Sequence, residues 1–329
     1  VNATSESVLG MPCFPNLAAL PKTPDLAVIC TAAEQVPAHV RECGKAGIMA
    51  LVVVSAGFRE VGPAGQALEA EVEAARREFP GMRILGPNCL GFIAPRSNLN
   101  LSFAEGRPRD GDIALISQSG ALCSSILDWA VGENVGFSYF VSVGNTLDVG
   151  FGDLIDYFGE DDRTKAIVLY LESISNARKF MSAARAFARS KPIVAFKSGR
   201  FPESAAVAAS HTGAMAAADD IYDAAFERAG IARVDSIGEI FDVVDLIGRQ
   251  RQPQGPRLAV VTNAGGPGVM ASDALIARGG KLASLEQETI DALDEFLPPH
   301  WSHGNPVDVL GDARPKRFVR AIEEVDLDK

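Results

Sequence analysis

Pro192-Ile193-Val194-Ala195-Phe196-Lys197, then Ala208-Ala209-Ser210-His211-Thr212-Gly213-Ala214, then a helical pattern from Asp219 to Ala229, is the stretch that decides the fold. A short apolar run reads as a buried strand, and the spacing after it as a helix. His211, one of four histidines in 329 residues, therefore lies in a long loop beyond a strand's C-terminal end. Ligands gather at that end of open α/β sheets. Imidazole can act as a nucleophile and carry a phosphoryl group. It can equally be a solvent-exposed loop side chain, and position alone leaves both readings open.

Strands and helices alternate on both sides of this stretch. Upstream, Ala166 to Leu171 is an apolar strand ending at Glu172, and Asn176 to Arg189 is an Ala/Arg-rich helix. Asp112 to Ile116 and Phe137 to Val143 are further strands, with a helix from Ala121 to Val131 after the first. Downstream, Ile231 to Val234 is a strand and Ile237 to Ile247 a closing helix. This is the element order of a flavodoxin-like parallel sheet.

Residues 1–108 alternate in the same way, with strands at Asp25 to Cys30, Ile48 to Ser55 and Arg83 to Leu85, and helices at Pro37 to Ala46 and Ala67 to Phe79. Such βαβ alternation predicts a parallel sheet with right-handed crossovers. The polar joint from Glu105 to Gly111 and the Gln/Pro/Gly-rich segment from Gln250 to Pro256 predict boundaries giving units 1–108, 109–252 and 253–329. The last unit repeats the design of the middle one. Strand, short turn and helix occur at Ile116 and again at Thr262, which indicates a duplication. The last unit stops at Lys329 right after one helix pattern, short of the strands a doubly wound sheet needs.

A net charge of −11 argues against a nucleic-acid or anionic-membrane partner. It leaves room for an anionic cofactor held by backbone amides. The five cysteines form no C-x-x-C pair, so no zinc site or redox dithiol is expected, and an odd, scattered set suits a reducing cytoplasm. The apolar run Ile48 to Val54 is too short to span a bilayer, and no signal-peptide pattern opens the chain.

Four groups can carry chemistry. Ser117-Gln118-Ser119-Gly120 precedes a helix, where serine either caps the helix or helps its first amides hold a phosphate. Glu172 can fix the tautomer of an imidazole or simply face water. Gly265-Gly266-Pro267-Gly268 allows close backbone approach to a ligand but is neither a Walker A loop nor G-x-G-x-x-G, and by itself it reads first as a tight turn. Gly86-Pro87-Asn88-Cys89-Leu90-Gly91 is a strand-end turn with one thiol. His300 and His303 bracket Trp301 in a Pro-rich loop, and no metal is expected there.

These blocks, with Ser210-His211-Thr212-Gly213-Ala214 and Gly304-Asn305-Pro306-Val307-Asp308, occur in an order that resembles the acyl-CoA synthetases forming a nucleoside diphosphate. That group includes ADP-forming acetate–CoA ligase and, for the first two units, the α subunit of succinyl-CoA synthetase. The resemblance implies an α/β protein: a Rossmann-like CoA-binding domain followed by two flavodoxin-like domains, the last incomplete. It implies that His211 is the phosphohistidine and that Glu172 holds its imidazole. Ser117, Ser119 and Gly120 would cradle phosphate. Thr31, Ala32, Ser55 to Phe58 (including Gly57), Asn88 and Cys89 would line the CoA cleft, and Gly265 and Gly266 would lie near the substrate carboxylate.

The reaction so implied takes a small carboxylic acid, CoA and ATP with Mg2+. An ATP-grasp domain or subunit binds the nucleotide, in a homo- or hetero-oligomer located in the cytoplasm. The same resemblance implies that the family's first strand and Gly-rich CoA loop precede Val1, and that the ATP-grasp part lies outside these residues. A second implied reading is an acyl-CoA-sensing region of a protein lysine acetyltransferase. Those regions often replace the histidine that stands here at 211. A NAD-dependent oxidoreductase would need an early G-x-G-x-x-G, which these residues lack.

Overall fold

Helix crossovers between apolar strands set the strands parallel. In the computed structural model, which describes residues 1–2, 4–201, 204, 219–249 and 255–326, this holds in both larger sheets. A small exposed hairpin, β1 (Ser7–Val8) with β2 (Met11–Pro12), comes first. Strands β3 (Leu26–Ile29), β4 (Ala50–Val53) and β5 (Arg83–Leu85) then form a three-stranded parallel sheet in that order. Helices α1 (Val36–Lys45) and α2 (Pro63–Arg77) make the crossovers, each with proline in its first turn, where the missing N–H costs nothing. Val36, Val40, Leu51, Val53, Val72 and Ile84 are buried together. Each such side chain contributes roughly 1.5–3 kcal/mol.

The second sheet has seven strands in the order β12-β11-β10-β8-β9-β6-β7. Its parallel part comprises β8 (Arg109–Ser117), β9 (Gly136–Ser142), β10 (Ala166–Leu171), β11 (Ile193–Lys197) and β12 (Ala232–Val234). Counted along the chain, the order is 2-1-3-4-5, the flavodoxin-like arrangement. Side chains alternate across it. Ile113 and Leu115 pack with α3 (Gly120–Glu133) and α7 (Ile237–Arg249) on one face. Ala114 and Ile116 pack with α4 (Phe151–Glu160), α5 (Ala177–Phe187) and α6 (Asp219–Ala229) on the other.

The remaining two strands come from upstream of the expected joint. β6 (Gly91–Ala94) and β7 (Leu99–Ser102) form a hairpin, and β6 pairs antiparallel with β9. A Cβ at Gly91 would lie 1.9 Å from the Leu101 carbonyl oxygen, so the hairpin closes only around glycine. The turn read at 86–91 thus opens a strand, and residues 91–102, counted above with the first unit, are built into the second sheet. The two regions also share core: Val52, Leu85 and Cys89 pack in the same cluster as Ile116 and Leu169. A run of bonds joins them, Val149 N to Ile84 O at 3.0 Å, Leu147 N to Gly86 O at 3.0 Å and Asn145 N to Pro87 O at 2.9 Å. Residues 1–250 accordingly make one compact unit, and residues 251–329 a second.

In the second unit β13 (Arg257–Leu258) pairs with β15 (Lys281–Leu282), and β14 (Val261–Thr262) with β16 (Val307–Asp308), both parallel. The strand expected over Arg257 to Thr262 is broken into two short pieces. Helices α8 (Gly265–Ala277), α9 (Gln287–Asp294) and α10 (Pro315–Asp326) complete it. Leu293, Trp301, Val307, Val309 and Ala321 form its core. Among the described residues no helix is long and apolar enough to cross a membrane.

Candidate functional site

Strand order reverses between β8 and β10, so the connections that leave these neighbouring strands go to opposite faces of the sheet and open a crevice at their C-terminal ends. Ser117 ends β8. It is fully buried, its hydroxyl donates to the Ser119 carbonyl at 3.0 Å, and the same oxygen accepts the Ser119 N–H at 3.1 Å. The hydroxyl therefore shapes the turn. Ser119 is the N-cap of α3, accepting the Leu122 N–H at 3.2 Å, and Gly120 is the first helical residue. Gln118 serves a different end: its side-chain carbonyl accepts the backbone N–H groups of Glu172 at 2.6 Å and Ser173 at 2.9 Å. The strand ends carrying the two expected groups are thereby tied together.

A cavity of about 410 Å³ opens at this point, and Asn88, Cys89, Ser119, Gly120 and Glu172 all line it. Residues expected to meet CoA and residues expected to meet phosphate thus share one space. Asn88 adopts φ +55° in its turn. Gly144 packs against that turn so closely that a Cβ would sit 2.3 Å from the carbonyl oxygens of Pro87 and Asn88. Cys89 is 3% exposed and donates to the Val53 carbonyl at 3.4 Å. Burial pushes its thiol up to about 12, so it stays protonated and is a wall rather than a nucleophile.

Apart from Ala56, the other expected cleft residues are not among those lining this cavity. Ser55 donates to the Thr31 carbonyl at 2.6 Å, joining the ends of β3 and β4, while Thr31 and Ala32 are exposed. Phe58 is wholly buried in the core of the first sheet, which leaves its side chain no ligand to touch. The amides of Gly57 and Phe58 donate to Glu60 at 2.7 and 3.1 Å. Burial acts to raise the Glu60 pKa, but bonds from Asn145 and these amides outweigh it and hold the carboxyl below its ordinary 4.5. Gly265 and Gly266 open α8 in the second compact unit. There Thr262 Oγ1 donates to the Ala264 carbonyl at 2.9 Å and accepts the Ala264 N–H at 3.1 Å, the same turn that Ser117 and Ser119 make. His211 lies outside the described residues.

Sequence reasoning gave no role to three residues that line the cavity, Gln118, Asn145 and Arg59. Asn145 is 6% exposed, and its amide nitrogen donates to Glu60 at 2.8 Å and to Glu69 at 2.9 Å. Its side-chain oxygen accepts from Asn88 at 3.3 Å. A Gly-Asn pair just after a strand hints at a special turn, but not at these partners. At the end of β11, Lys197 is 5% exposed, in register with Leu171, and its ammonium lies 4.7 Å from the Tyr222 ring centroid. Burial lowers its pKa. Among the described residues no group of three or more His, Cys, Asp or Glu side chains could hold a metal ion. The His303 ring instead pairs with Asp294 at 3.0 Å and packs against Trp301.

Three domain families match the chain. The CoA-binding domain family matches residues 1–95, the succinyl-CoA ligase-like flavodoxin domain residues 110–247, and the ligase-CoA domain residues 258–327. "Acetate--CoA ligase [ADP-forming] I" of Archaeoglobus fulgidus is 42% identical over 100% of this chain and 48% of its own length. The chain thus spans about half of that relative. "Acetate--CoA ligase [ADP-forming] II subunit alpha" of Pyrococcus furiosus is 39% identical over 98% of this chain and 70% of its own length. A solved structure of the dinucleotide-forming acetyl-coenzyme A synthetase 1 of Ca. Korarchaeum cryptofilum, in complex with phosphate and ADP, superposes with a TM-score of 0.91 at 34% identity. It covers 100% of this chain and 78% of that one. On shared sequence over the full chain and a shared fold, the chain belongs to the family of the ADP-forming acetate–CoA ligases.

Proposed function

We propose that the protein containing this chain is an acid–CoA ligase that converts a small carboxylic acid, ATP and CoA to acyl-CoA, ADP and phosphate. The observation that carries this reading is that Asn88 and Cys89 line the same cavity as Ser119, Gly120 and Glu172. CoA chemistry and phosphate chemistry need to meet in one place, and here their expected residues do. The relatives' names support the ligase reading over an acyl-CoA sensor.

In this mechanism an ATP-grasp domain or subunit, holding ATP with Mg2+, phosphorylates His211. A carboxylate oxygen of the acid attacks the phosphorus, the P–N bond breaks with its electron pair going to the ring nitrogen, and the imidazole leaves neutral because its other nitrogen keeps a proton, held by Glu172. The CoA thiolate then attacks the carbonyl carbon of the acyl phosphate. The C–O bond to the phosphoryl group breaks, and phosphate departs with that electron pair. Glu172 stabilises the imidazole from the end of β10, and the amides at the start of α3 receive the phosphoryl group. Backbone donors at a helix N-terminus are preorganised, so they need no rearrangement as charge develops. Ser55, Ala56 and Gly57, with Thr31 and Ala32, would line the CoA cleft, while Phe58 supports it from the core. Gly265 and Gly266 are the proposed contacts for the carboxylate of the acid. Thiols left unpaired and the use of CoA and ATP fit a cytoplasmic enzyme working as an oligomer with its nucleotide-binding part.

The test is acyl-CoA formation by the full-length protein over a panel of carboxylic acids, with ADP release followed in parallel. Incubation with γ-labelled ATP should label one acid-labile site, and His211→Asn should abolish labelling with the circular dichroism spectrum unchanged. Equal labelling of that variant defeats the mechanism.

A further inference from the structure

Among the described residues lining the cavity, Arg59 is the one cation and Glu172 the one carboxylate. The mechanism above gives Glu172 a part and Arg59 none. A doubly charged phosphoryl group placed beside Glu172 would meet like charge, which a cation on the cavity wall would help the α3 amides to offset. Arg59 is held ready for that task. Its backbone N–H donates to Glu69 at 3.3 Å, and its Nη1 lies 3.6 Å from the other Glu69 oxygen. Glu69 is itself buried and fixed by Asn145. Glu60, the neighbouring carboxylate, is already engaged by Asn145 and the Gly57 and Phe58 amides.

The guanidinium Nε of Arg59 is buried and has no hydrogen-bond partner. Guanidinium N–H groups are almost always paired, so this orphan leaves the hydrogen bonding of Arg59 short of one acceptor, on a residue that lines the cavity. The planar fork of arginine matches phosphoryl oxygens, whereas the amide and thiol of the pantetheine arm of CoA carry no charge for it to meet.

We propose that Arg59 binds the phosphoryl group of the acyl phosphate, and inorganic phosphate in the reverse direction, opposite the first amides of α3. The inference rests on the ligase reading and adds to it a cation on the cavity wall. Arg59 is thereby a substrate-binding residue braced by Glu69 and Asn145.

The experiment measures two affinities in the full-length protein without nucleotide: inorganic phosphate by ³¹P line broadening and CoA by calorimetry. Arg59→Gln is expected to weaken phosphate by about tenfold or more while CoA stays within about twofold, with the circular dichroism spectrum kept. Arg59→Lys keeps the charge and loses the fork, and is expected to fall between. Equal phosphate affinity in Arg59→Gln and the parent overturns the proposal. So does a parent that binds no phosphate, or a variant that loses phosphate and CoA together, as a structural brace would. If Arg59→Gln fails to fold, Arg59→Lys decides: parental phosphate affinity overturns the proposal, and reduced affinity with CoA binding intact supports it. Acyl-CoA formation by the parent is scored separately, so a protein that binds phosphate through Arg59 but ligates no acid refutes the ligase reading and not the site.

Discussion

The side-chain carbonyl of Gln118 accepts the backbone N–H of Glu172 at 2.6 Å, across the point where strand order reverses. It accepts the Ser173 N–H as well. Gln118→Leu leaves both donors without that acceptor, at a cost of about 1–3 kcal/mol. A unit of this size should then lose roughly 2–10 °C in its thermal midpoint, read by calorimetry. Acyl-CoA turnover should drop with it, because the end of β10 loses its anchor. A Leu variant as stable as the parent would show that the bond contributes nothing.

Asn145 shares one amide nitrogen between two carboxylates, Glu60 and Glu69. In Asn145→Asp the donor is replaced by an acceptor, and three carboxyl groups face one another. The variant should be less stable than the parent at neutral pH by about 2–4 kcal/mol, in line with breaking a buried charged hydrogen bond. The deficit should shrink as pH falls and the introduced carboxyl takes up a proton. Urea unfolding at two pH values reads this directly, and a pH-independent deficit would contradict it.

Glu60 and Asp153 are both held below their ordinary values. In each, burial pushes upward and is outweighed by hydrogen bonds, from Asn145 and backbone amides to Glu60 and from Lys179 and Arg83 to Asp153. A carboxyl with a depressed folded pKa contributes stability above its unfolded value and loses it as pH falls through the folded one. Stability should therefore hold down to the ordinary carboxylate range, near 4.5 for Glu60 and 3.8 for Asp153, and decline below it. Glu60→Gln should flatten part of that decline in an acid titration followed by circular dichroism.

The five thiols should divide by reactivity. Cys30 is exposed and Cys13 partly so, whereas Cys43, Cys89 and Cys123 are buried. Burial raises Cys43 to about 11 and Cys89 and Cys123 to about 12. A chromogenic disulfide reagent at pH 8 should modify Cys30 fastest, and the buried three only on unfolding. Cys89→Ala should retain acyl-CoA formation to within about tenfold, since its thiol is a neutral wall. Loss beyond a hundredfold with the fold intact would give that sulfur a chemical part after all.

Those features were legible that depend on local pattern. The strands at 166–171 and 193–197 are strictly apolar or nearly so, and the helix at 219–229 carries its own period, so each falls where the pattern puts it. Glu172 and Ser119 could be placed at strand and helix ends by the same means. What could not be read depends on residues far apart in the chain. Asn145 meets Glu60 and Glu69 from 85 and 76 positions away, and nothing in either neighbourhood announces the other. Arg59 acquires interest only through Glu69 and the cavity it borders. Phe58 follows Gly57 in a run expected to touch CoA, yet a large apolar ring gains more by entering the core than by edging a polar cleft. The hydroxyl of Ser117 was a candidate for holding phosphate, but the turn it closes uses both its donor and an acceptor. The twin turn at Thr262 and Ala264 was visible as a repeat of pattern, and the hydrogen bonds repeat it atom for atom.

The hairpin at Gly91–Ala94 and Leu99–Ser102 governs how this protein can be cut into pieces. Severing the chain at the polar joint near residue 108 would strip β9 of its outer neighbour and lay bare a ladder of unsatisfied amides and carbonyls. A fragment beginning there would be sticky, and the fragment left behind would trail two strands with no sheet to join. Dissection that keeps residues 91–102 on the same piece as β8 and β9 avoids both faults.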